Sequence, residues 1–87
     1  MDYDARPRLR HARLRRRGDA MLLLAPERGF SLGGAAPAIL ELVDGSRTVE
    51  QIVDALARDH AAPRETISRD VHALLEALAR RGLIRIA

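Results

Sequence analysis

The feature that most constrains the fold of this chain is a change of hydrophobic period at the glycine pair 33–34. Before the pair, short segments alternate apolar and polar residues or form brief apolar runs, as β-strands do. After it, apolar residues recur at helical spacing. The sequence therefore predicts strands followed by helices, an order typical of the α+β class. With 87 residues, one domain over 1–87 is expected.

The N-terminal part predicts a small three-stranded antiparallel sheet. Residues 12–15 alternate, residues 21–25 form an apolar run behind the turn pair Gly18-Asp19, and residues 29–32 alternate again. Residues 1–8 show no periodicity and are interpreted as a flexible arm.

Apolar residues at helical spacing predict three helices, in the segments 36–43, 48–60 and 63–82. The second has the clearest start, because Thr48 as N-cap and Gln51 three residues later form a capping box. Residues 83–86 are either a short closing strand or an apolar tail. With the hairpin beside the last two helices, the predicted architecture is winged helix-turn-helix-like.

The charge of the chain is concentrated at its N-terminus. All fifteen basic residues are Arg, and residues 1–20 hold seven of them against three Asp. Such a segment suits nucleic acid, an anionic membrane surface, an acidic partner or simply a solvated strand face. The absence of cysteine excludes disulfides and thiolate metal sites. With no secretory signal and no run of about 20 apolar residues, a cytoplasmic protein without a membrane partner is expected.

The sequence does not predict catalysis, and no cofactor is expected. His11, His60 and His72 lie far apart, at no metal-ligand spacing. The serines lack a nucleophile-elbow context, and no phosphate-binding pattern follows the glycine pair 33–34. These observations favour a protein that binds its target over one that transforms it.

A winged helix-turn-helix architecture raises DNA binding as an alternative. The third predicted helix offers Arg64, Arg69 and His72, but these are mixed with Glu65 and Asp70. A recognition helix normally carries few acids toward the phosphates. A DNA-binding transcriptional regulator therefore remains the alternative function, although nucleic acid is not the expected partner, and a purely structural dimer domain is a third hypothesis.

Several segments together resemble the PqqD family of pyrroloquinoline quinone (PQQ) biosynthesis. They are Leu-Leu-Ala-Pro-Glu-Arg at 23–28, Ile-Leu-Glu-Leu-Val-Asp-Gly at 39–45, Arg-Thr-Val at 47–49, Asp-Val-x-x-Leu-Leu-x-x-Leu at 70–78 and Arg-Pro-Arg-Leu at 6–9. The resemblance covers residues 6–86. The chain departs from the family pattern in a shorter hairpin through 16–19 and in Gly29, where an aliphatic residue is more common.

This resemblance implies a non-catalytic peptide chaperone, one of the recognition elements for ribosomally made, modified peptides. Family members bind the precursor peptide PqqA and present it to the radical-SAM enzyme PqqE. In related modules the leader peptide adds as an extra strand to the third strand and rests against the third helix. A homodimer, including one formed by exchange of strands or helices, is also compatible with a thin core and exposed strands.

Strand addition has a physical rationale here, because a short edge strand leaves N–H and C=O groups for an incoming strand, and Gly29 lets another backbone approach. The aliphatic residues of the third helix are expected to be mostly core, with one or two bordering the groove. Because PqqA-type peptides are rich in Glu, four arginines are expected to speed encounter: Arg13, Arg15, Arg17 and Arg28. The expected peptide-binding residues are Arg28, Gly29, Phe30, Ser31, Leu32, Ile67, Asp70, Val71 and Leu74.

Overall fold

The computed structural model describes residues 1–86, which form five strands and three helices. In chain order they are β1 (Pro7–Leu9), β2 (Arg13–Arg17), β3 (Ala20–Ala25), β4 (Arg28–Leu32), α1 (Ala36–Glu41), α2 (Val49–Asp59), α3 (Arg64–Arg80) and β5 (Ile84–Ile86). The α+β class is confirmed, as is a three-stranded antiparallel sheet, β2-β3-β4, followed by three helices. The strand count differs from the prediction, since β1 and β5 form a second sheet. The winged helix-turn-helix description remains a prediction.

The three-stranded sheet has two chemically different faces. Its strands are joined by the two-residue loops Gly18-Asp19 and Pro26-Glu27. Directly opposed residues of antiparallel strands point to the same side, so Leu23 shares one side with its partners Leu14 and Phe30. Leu23 is completely buried, and this side, the inner face, covers the core. The outer face carries the intervening residues, among them Arg15, Leu22 and Ser31.

The core lies between the inner face and the helices. Its completely buried side chains come from the sheet and from all three helices: Leu23, Ile39, Leu40, Val49, Ile52, Val53, Val71 and Leu75. The apolar stripes of α2 and α3 pack against each other, as their helical spacing predicted. Within residues 1–86, no helix is both long and apolar enough to cross a membrane.

The start of α2 is capped as the sequence predicted. The Thr48 hydroxyl accepts a hydrogen bond from the N–H of Gln51 at 3.1 Å, and the Gln51 side-chain oxygen accepts one from the N–H of Thr48 at 2.8 Å. The next two donors of the first turn, the N–H groups of Val49 and Glu50, donate to the backbone carbonyls of Ala5 and Tyr3, both at 2.9 Å. Every N–H of the first turn therefore has an acceptor, and two of the acceptors come from the N-terminal segment.

Residues 1–8 are consequently not the flexible arm that the sequence suggested. Besides capping α2, Tyr3 donates or accepts a 2.6 Å hydrogen bond with the Ser68 hydroxyl and meets the His72 ring edge to face, with centroids 5.0 Å apart. Pro7 is fully buried and opens β1. The prediction failed because backbone carbonyls hold this segment, and carbonyl positions leave no periodic signal in a sequence.

The end of α3 directs the chain into β5. Gly82 adopts a φ of +72°, a left-handed conformation in which L side chains are strained. The N–H of Gly82 donates to the carbonyl of Ala79, and that of Leu83 to Leu78, which is the Schellman pattern. Of the two interpretations of residues 83–86, the closing strand is thus correct, and β5 pairs antiparallel with β1.

The first helix is two residues shorter than predicted, because the chain leaves it to meet β1. Asp44 forms an isolated antiparallel bridge with Arg8. The N–H of Gly45 donates to the Pro7 carbonyl at 2.9 Å. Gly45 has a φ of +82°, and a Cβ at this position would lie 3.3 Å from the Cβ of Arg8. The left-handed conformation favours glycine here, and a Cβ would also require Arg8 to shift by a few tenths of an ångström.

The loop between α1 and α2 is held by one carboxylate. An oxygen of Asp44 accepts hydrogen bonds from the N–H groups of Ser46 at 2.9 Å and Arg47 at 3.1 Å. Its other oxygen binds the Arg47 guanidinium at 2.6 Å. These backbone hydrogen bonds, foremost that of Ser46, followed by the positive charge of Arg47, lower the pKa of Asp44 from its ordinary value of 3.8.

We expect Thr48→Ala to lower the free energy of unfolding by about 1 kcal/mol, because it removes the hydroxyl that accepts from Gln51. Thr48→Ser keeps the hydroxyl and serves as the matched control. Urea unfolding followed by circular dichroism measures both. Equal unfolding midpoints for Thr48→Ala and the wild type would show that the capping hydrogen bond does not stabilise α2.

We also expect acid to weaken the fold through Asp44. Since its folded pKa is lowered, its hydrogen bonds stabilise the protein fully above pH 3.8, and this contribution is lost as the pH falls through 3.8 toward the folded pKa. Asp44→Asn keeps an oxygen acceptor but does not titrate, so its urea midpoint should fall less over this range. Identical pH profiles for the two proteins would contradict the assignment.

Candidate functional site

The outer edge of β4 carries backbone groups that are available for a further strand. Within residues 1–86, β4 pairs only with β3, so one of its edges is open. The two-residue loop before β4 is closed by the pair Ala25 and Arg28, and such a closing pair is hydrogen-bonded. Because hydrogen-bonded pairs alternate along an antiparallel ladder, the N–H and C=O groups of Gly29 and Ser31 point away from β3. They form the open edge.

The other predicted residues of β4 face the helices. Arg28, Phe30 and Leu32 alternate with the edge residues and lie on the inner face. Phe30 and Leu32 are half-buried and pack against the core, whereas Arg28 is exposed. Half-buried apolar side chains directly beside an open edge can contact the side chains of an added strand.

The predicted residues of α3 divide into core and surface. Ile67 and Val71 are buried, with 7% and 0% of their surface exposed, so they serve as core. Leu74 is only half-buried and Asp70 is exposed. Ile67 and Val71 therefore have little or no surface left to contact a ligand, because the fold already covers it.

Arg81, which the sequence did not single out, joins α3 to β4. Its guanidinium lies over the Phe30 ring, 5.5 Å from the centroid, a cation–π arrangement. Leu74 lies four positions after Asp70, and Arg81 seven positions after Leu74, so these three share one side of the helix. The only sequence signal for Arg81 is its position at the helix end, which does not distinguish it from Arg80.

A shallow depression of about 200 Å³ lies at this junction, lined by Ala25, Pro26, Arg28, Phe30, Arg81 and Leu83. Two guanidinium groups border it beside an aromatic ring and aliphatic side chains. Such a surface suits a peptide that carries both carboxylate and apolar side chains. Within residues 1–86, no three His, Asp or Glu side chains are grouped as ligands of a metal ion.

The backbone edge alone cannot hold a peptide. Each hydrogen bond to Gly29 or Ser31 contributes about 0.5–1.5 kcal/mol net. Association costs about 4–15 kcal/mol in lost translational and rotational freedom. The few hydrogen bonds that Gly29 and Ser31 can make therefore offset the free-energy cost of association only if that cost lies at the low end of this range. Binding at this edge requires additional contacts, which the half-buried side chains of Phe30, Leu32 and Leu74 can supply.

The close approach of another backbone at Gly29 stays a prediction. A Cβ on Gly29 would point to the outer face, where the nearest atom is the Cδ2 of Leu24 at an ordinary contact distance of 3.4 Å. A strand added at the edge lies in the plane of the sheet, perpendicular to that direction. Packing within residues 1–86 therefore does not require glycine at this position.

The arginines expected to attract an acidic peptide are split between two places. Arg28 lies on β4, beside the open edge, and Arg81 joins it there. Arg13, Arg15 and Arg17 lie on β2, two strands away, which is about 10 Å. A strand added to β4 would lie one spacing further, about 14 Å from β2. This exceeds the Debye length of about 8 Å at physiological salt, so the attraction of these three arginines for a peptide at the β4 edge is largely screened.

Comparison with known proteins gives the chain a family. The family model for coenzyme PQQ synthesis protein D (PqqD) matches residues 20–84. The PqqA binding protein of Gluconobacter oxydans (strain 621H) is 46% identical over 77 residues, which are 88% of this chain and 77% of that protein.

Two solved structures share the fold. The solution structure of the PqqD truncation of Methylobacterium extorquens PqqCD, described as a functional and stand-alone recognition element for ribosomally synthesized and post-translationally modified peptides, has a TM-score of 0.76 and 40% identity over 91% of this chain and 87% of that one. TbiB1 in complex with the TbiA(beta) leader peptide has a TM-score of 0.77 and 26% identity over 90% and 94% of the two chains. From the family match and this degree of identity, the chain belongs to the PqqD family.

Proposed function

We propose that this protein is a non-catalytic peptide chaperone of PQQ biosynthesis, which binds a PqqA-type precursor peptide at β4 and presents it to the radical-SAM enzyme PqqE. The observation that carries the proposal is the open edge of β4, with outward backbone groups at Gly29 and Ser31 beside the half-buried side chain of Phe30, which Arg81 at the end of α3 contacts. It is supported by relatives named for binding PqqA and by the leader-peptide complex of a structural neighbour.

In this proposal the leader adds to β4 as a fourth strand. The backbone of Gly29 and Ser31 fixes its direction and register, which any peptide sequence can satisfy. Selectivity then comes from side chains: apolar residues of the leader contact Phe30, Leu32 and Leu74, and its carboxylates meet Arg28 and Arg81. The exposed Asp70 borders the same side of α3 and disfavours an acidic residue next to it.

Strand addition also explains how a binding protein can serve an enzyme. The contact involves a short stretch of peptide, because β4 has five residues. The remainder of the precursor stays outside the groove and remains accessible. The chaperone therefore supplies affinity and orientation, and the chemistry is left to the partner.

We expect Ser31→Pro to weaken binding of a synthetic PqqA leader about tenfold or more, since it removes an outward N–H and its ring obstructs the added strand. The N–H of Ser31 does not pair with β3, so the sheet should tolerate the change. Ser31→Ala keeps the N–H and is the matched control. Isothermal titration calorimetry measures both affinities.

Amide shifts of the labelled wild type, titrated with the same leader, locate the site independently. The largest shifts should fall in β4 and around Leu74. Shifts confined to α1, or equal affinities of the Ser31→Pro and Ser31→Ala variants, would show that the peptide does not add at β4.

Salt separates this function from the alternative of a DNA-binding regulator. One arginine of α3, Arg64, is already engaged by Asp54 at 2.5 Å, and acids alternate with the others. Exposed ion pairs contribute about 0–1 kcal/mol each, so peptide affinity should fall only a few-fold between about 50 and 200 mM salt. A regulator with about six phosphate contacts loses roughly a thousandfold over this range. Tight duplex binding with that slope, and no peptide binding, would overturn the proposal.

A further inference from the structure

The outer face of the three-stranded sheet carries a row of arginines next to a row of leucines. Arg13, Arg15 and Arg17 follow one another on this side of β2, about 7 Å apart along the strand. Leu24 and Leu22 lie directly opposite Arg13 and Arg15 on β3, and both are half-buried. Beyond them β4 contributes only Gly29 and Ser31. The apolar row is therefore bordered by charge on one side and left open on the other.

The charge of this row is not neutralised by the fold. Among residues 1–86, the side-chain ion pairs involve Arg16, Arg47 and Arg64, and none includes an arginine of the outer face. Arg16 differs from these three arginines. It lies between Arg15 and Arg17 in the sequence but on the inner face of the sheet, and its guanidinium is 4.0 Å from the carboxylate of Glu41. Three like charges at this spacing repel one another in the isolated protein, and an acidic partner would relieve that repulsion.

Two shallow depressions on this side meet at Leu24. One, of about 370 Å³, is lined by Arg15, Arg16, Arg17, Leu22 and Leu24, and the other, of about 590 Å³, by His11, Ala12, Arg13, Leu24, Ala25 and Pro26. Guanidinium groups border both. A partner side chain placed beside Leu24 would thus have basic groups within reach.

We propose that the outer face is a second docking surface, which binds an acidic protein surface with an apolar centre, and that this surface belongs to the enzyme that modifies the peptide. The inference rests on the proposed function, which requires a second partner. Partner carboxylates pair with the arginine row while an apolar side chain covers Leu22 and Leu24. The patch is small, so the contact is transient and its rate of formation is governed by charge.

The geometry separates this surface from the peptide site. A strand added to β4 lies in the plane of the sheet, whereas the outer face is approached perpendicular to that plane. Peptide and enzyme can consequently be bound at the same time, which presentation requires. The peptide would lie next to Gly29 and Ser31, at the border of the enzyme contact.

Two other occupants fit this face less well. A second copy related by a two-fold axis would present the same patch to the contact. The arginines of one copy would then face the basic surface of the other, and the two would repel each other. A nucleic acid would find leucines where proteins that bind single strands place aromatic rings. Charge complementarity therefore favours an acidic protein surface.

The test compares arginines of the outer face with an arginine elsewhere on the surface. Arg13→Gln, Arg15→Gln and Arg17→Gln are combined in one variant, and Arg58→Gln, an exposed residue of α2 that lines neither depression, is the control. Affinities are measured for the PqqE-type enzyme of the same organism, with its iron–sulfur clusters intact, and for the synthetic leader. We expect the triple variant to bind the enzyme about tenfold more weakly, mainly through slower association, and the leader within twofold of the wild type.

A second variant probes the apolar row. Leu22→Thr combined with Leu24→Thr should weaken enzyme binding by accelerating dissociation, with the leader affinity unchanged. Amide spectra of all variants show whether the sheet is retained. In the wild type, methyl signals of Leu22 and Leu24 should broaden on addition of enzyme and stay sharp on addition of leader.

The failures of the two proposals are distinguishable. If the triple variant binds the enzyme as tightly as the wild type does, the second surface is wrong and the proposed function stands. Equal losses of leader and enzyme affinity would assign the arginine row to the peptide site and also overturn it. A wild type that binds leader but no enzyme would overturn both presentation and the docking surface. A sedimentation coefficient that changes only in the triple variant would identify the partner of the outer face as a second copy of the chain. Duplex-DNA binding that changes only in this variant would identify it as a nucleic acid. Either result would overturn the assignment to the enzyme.

Discussion

The N–H groups at the start of α2 impose the constraint on which the rest of the structure depends. A helix begins with donors that have no partner inside the helix, and leaving them buried without acceptors costs about 1–3 kcal/mol each. Thr48 and Gln51 satisfy only part of this need. The carbonyls of Tyr3 and Ala5 supply the remainder and fix the N-terminal segment across the helix start. Without that segment, α2 would begin with donors that depend on water.

The same segment meets the part of the chain that follows α3. Once Ala5 is held, Pro7 is buried and β1 runs alongside β5. β5 can follow α3 directly only because Gly82 reverses the chain in a left-handed conformation. Arg81, directly before this turn, lies over the Phe30 ring, on the side of α3 that contains Leu74. The candidate groove therefore includes a contact made at the end of α3 as well as the edge of β4.

The sequence predicted the parts of the fold that have local causes. The capping box of Thr48 and the apolar stripe of α2 are local patterns, and both were found where they were expected. The meander was predicted because alternation and turn residues lie within a few positions of each other. β1, by contrast, pairs with β5, which is more than seventy residues away, and Arg81 contacts Phe30 across about fifty residues. Contacts of this kind depend on the folded chain path and have no local signature.

The side chains between 44 and 48 have a structural role, whereas the groups proposed for binding are mostly backbone. Asp44, Gly45, Arg47 and Thr48 are each explained by a turn, a close approach, an ion pair or a cap. The β4 edge needs no particular side chain at Gly29 or Ser31 in order to accept a strand. A small sheet of this kind can bind one partner along its edge and another on its outer face, because the first uses in-plane backbone groups and the second uses perpendicular side chains. The arginines of β2 can therefore vary with the second partner without altering the first.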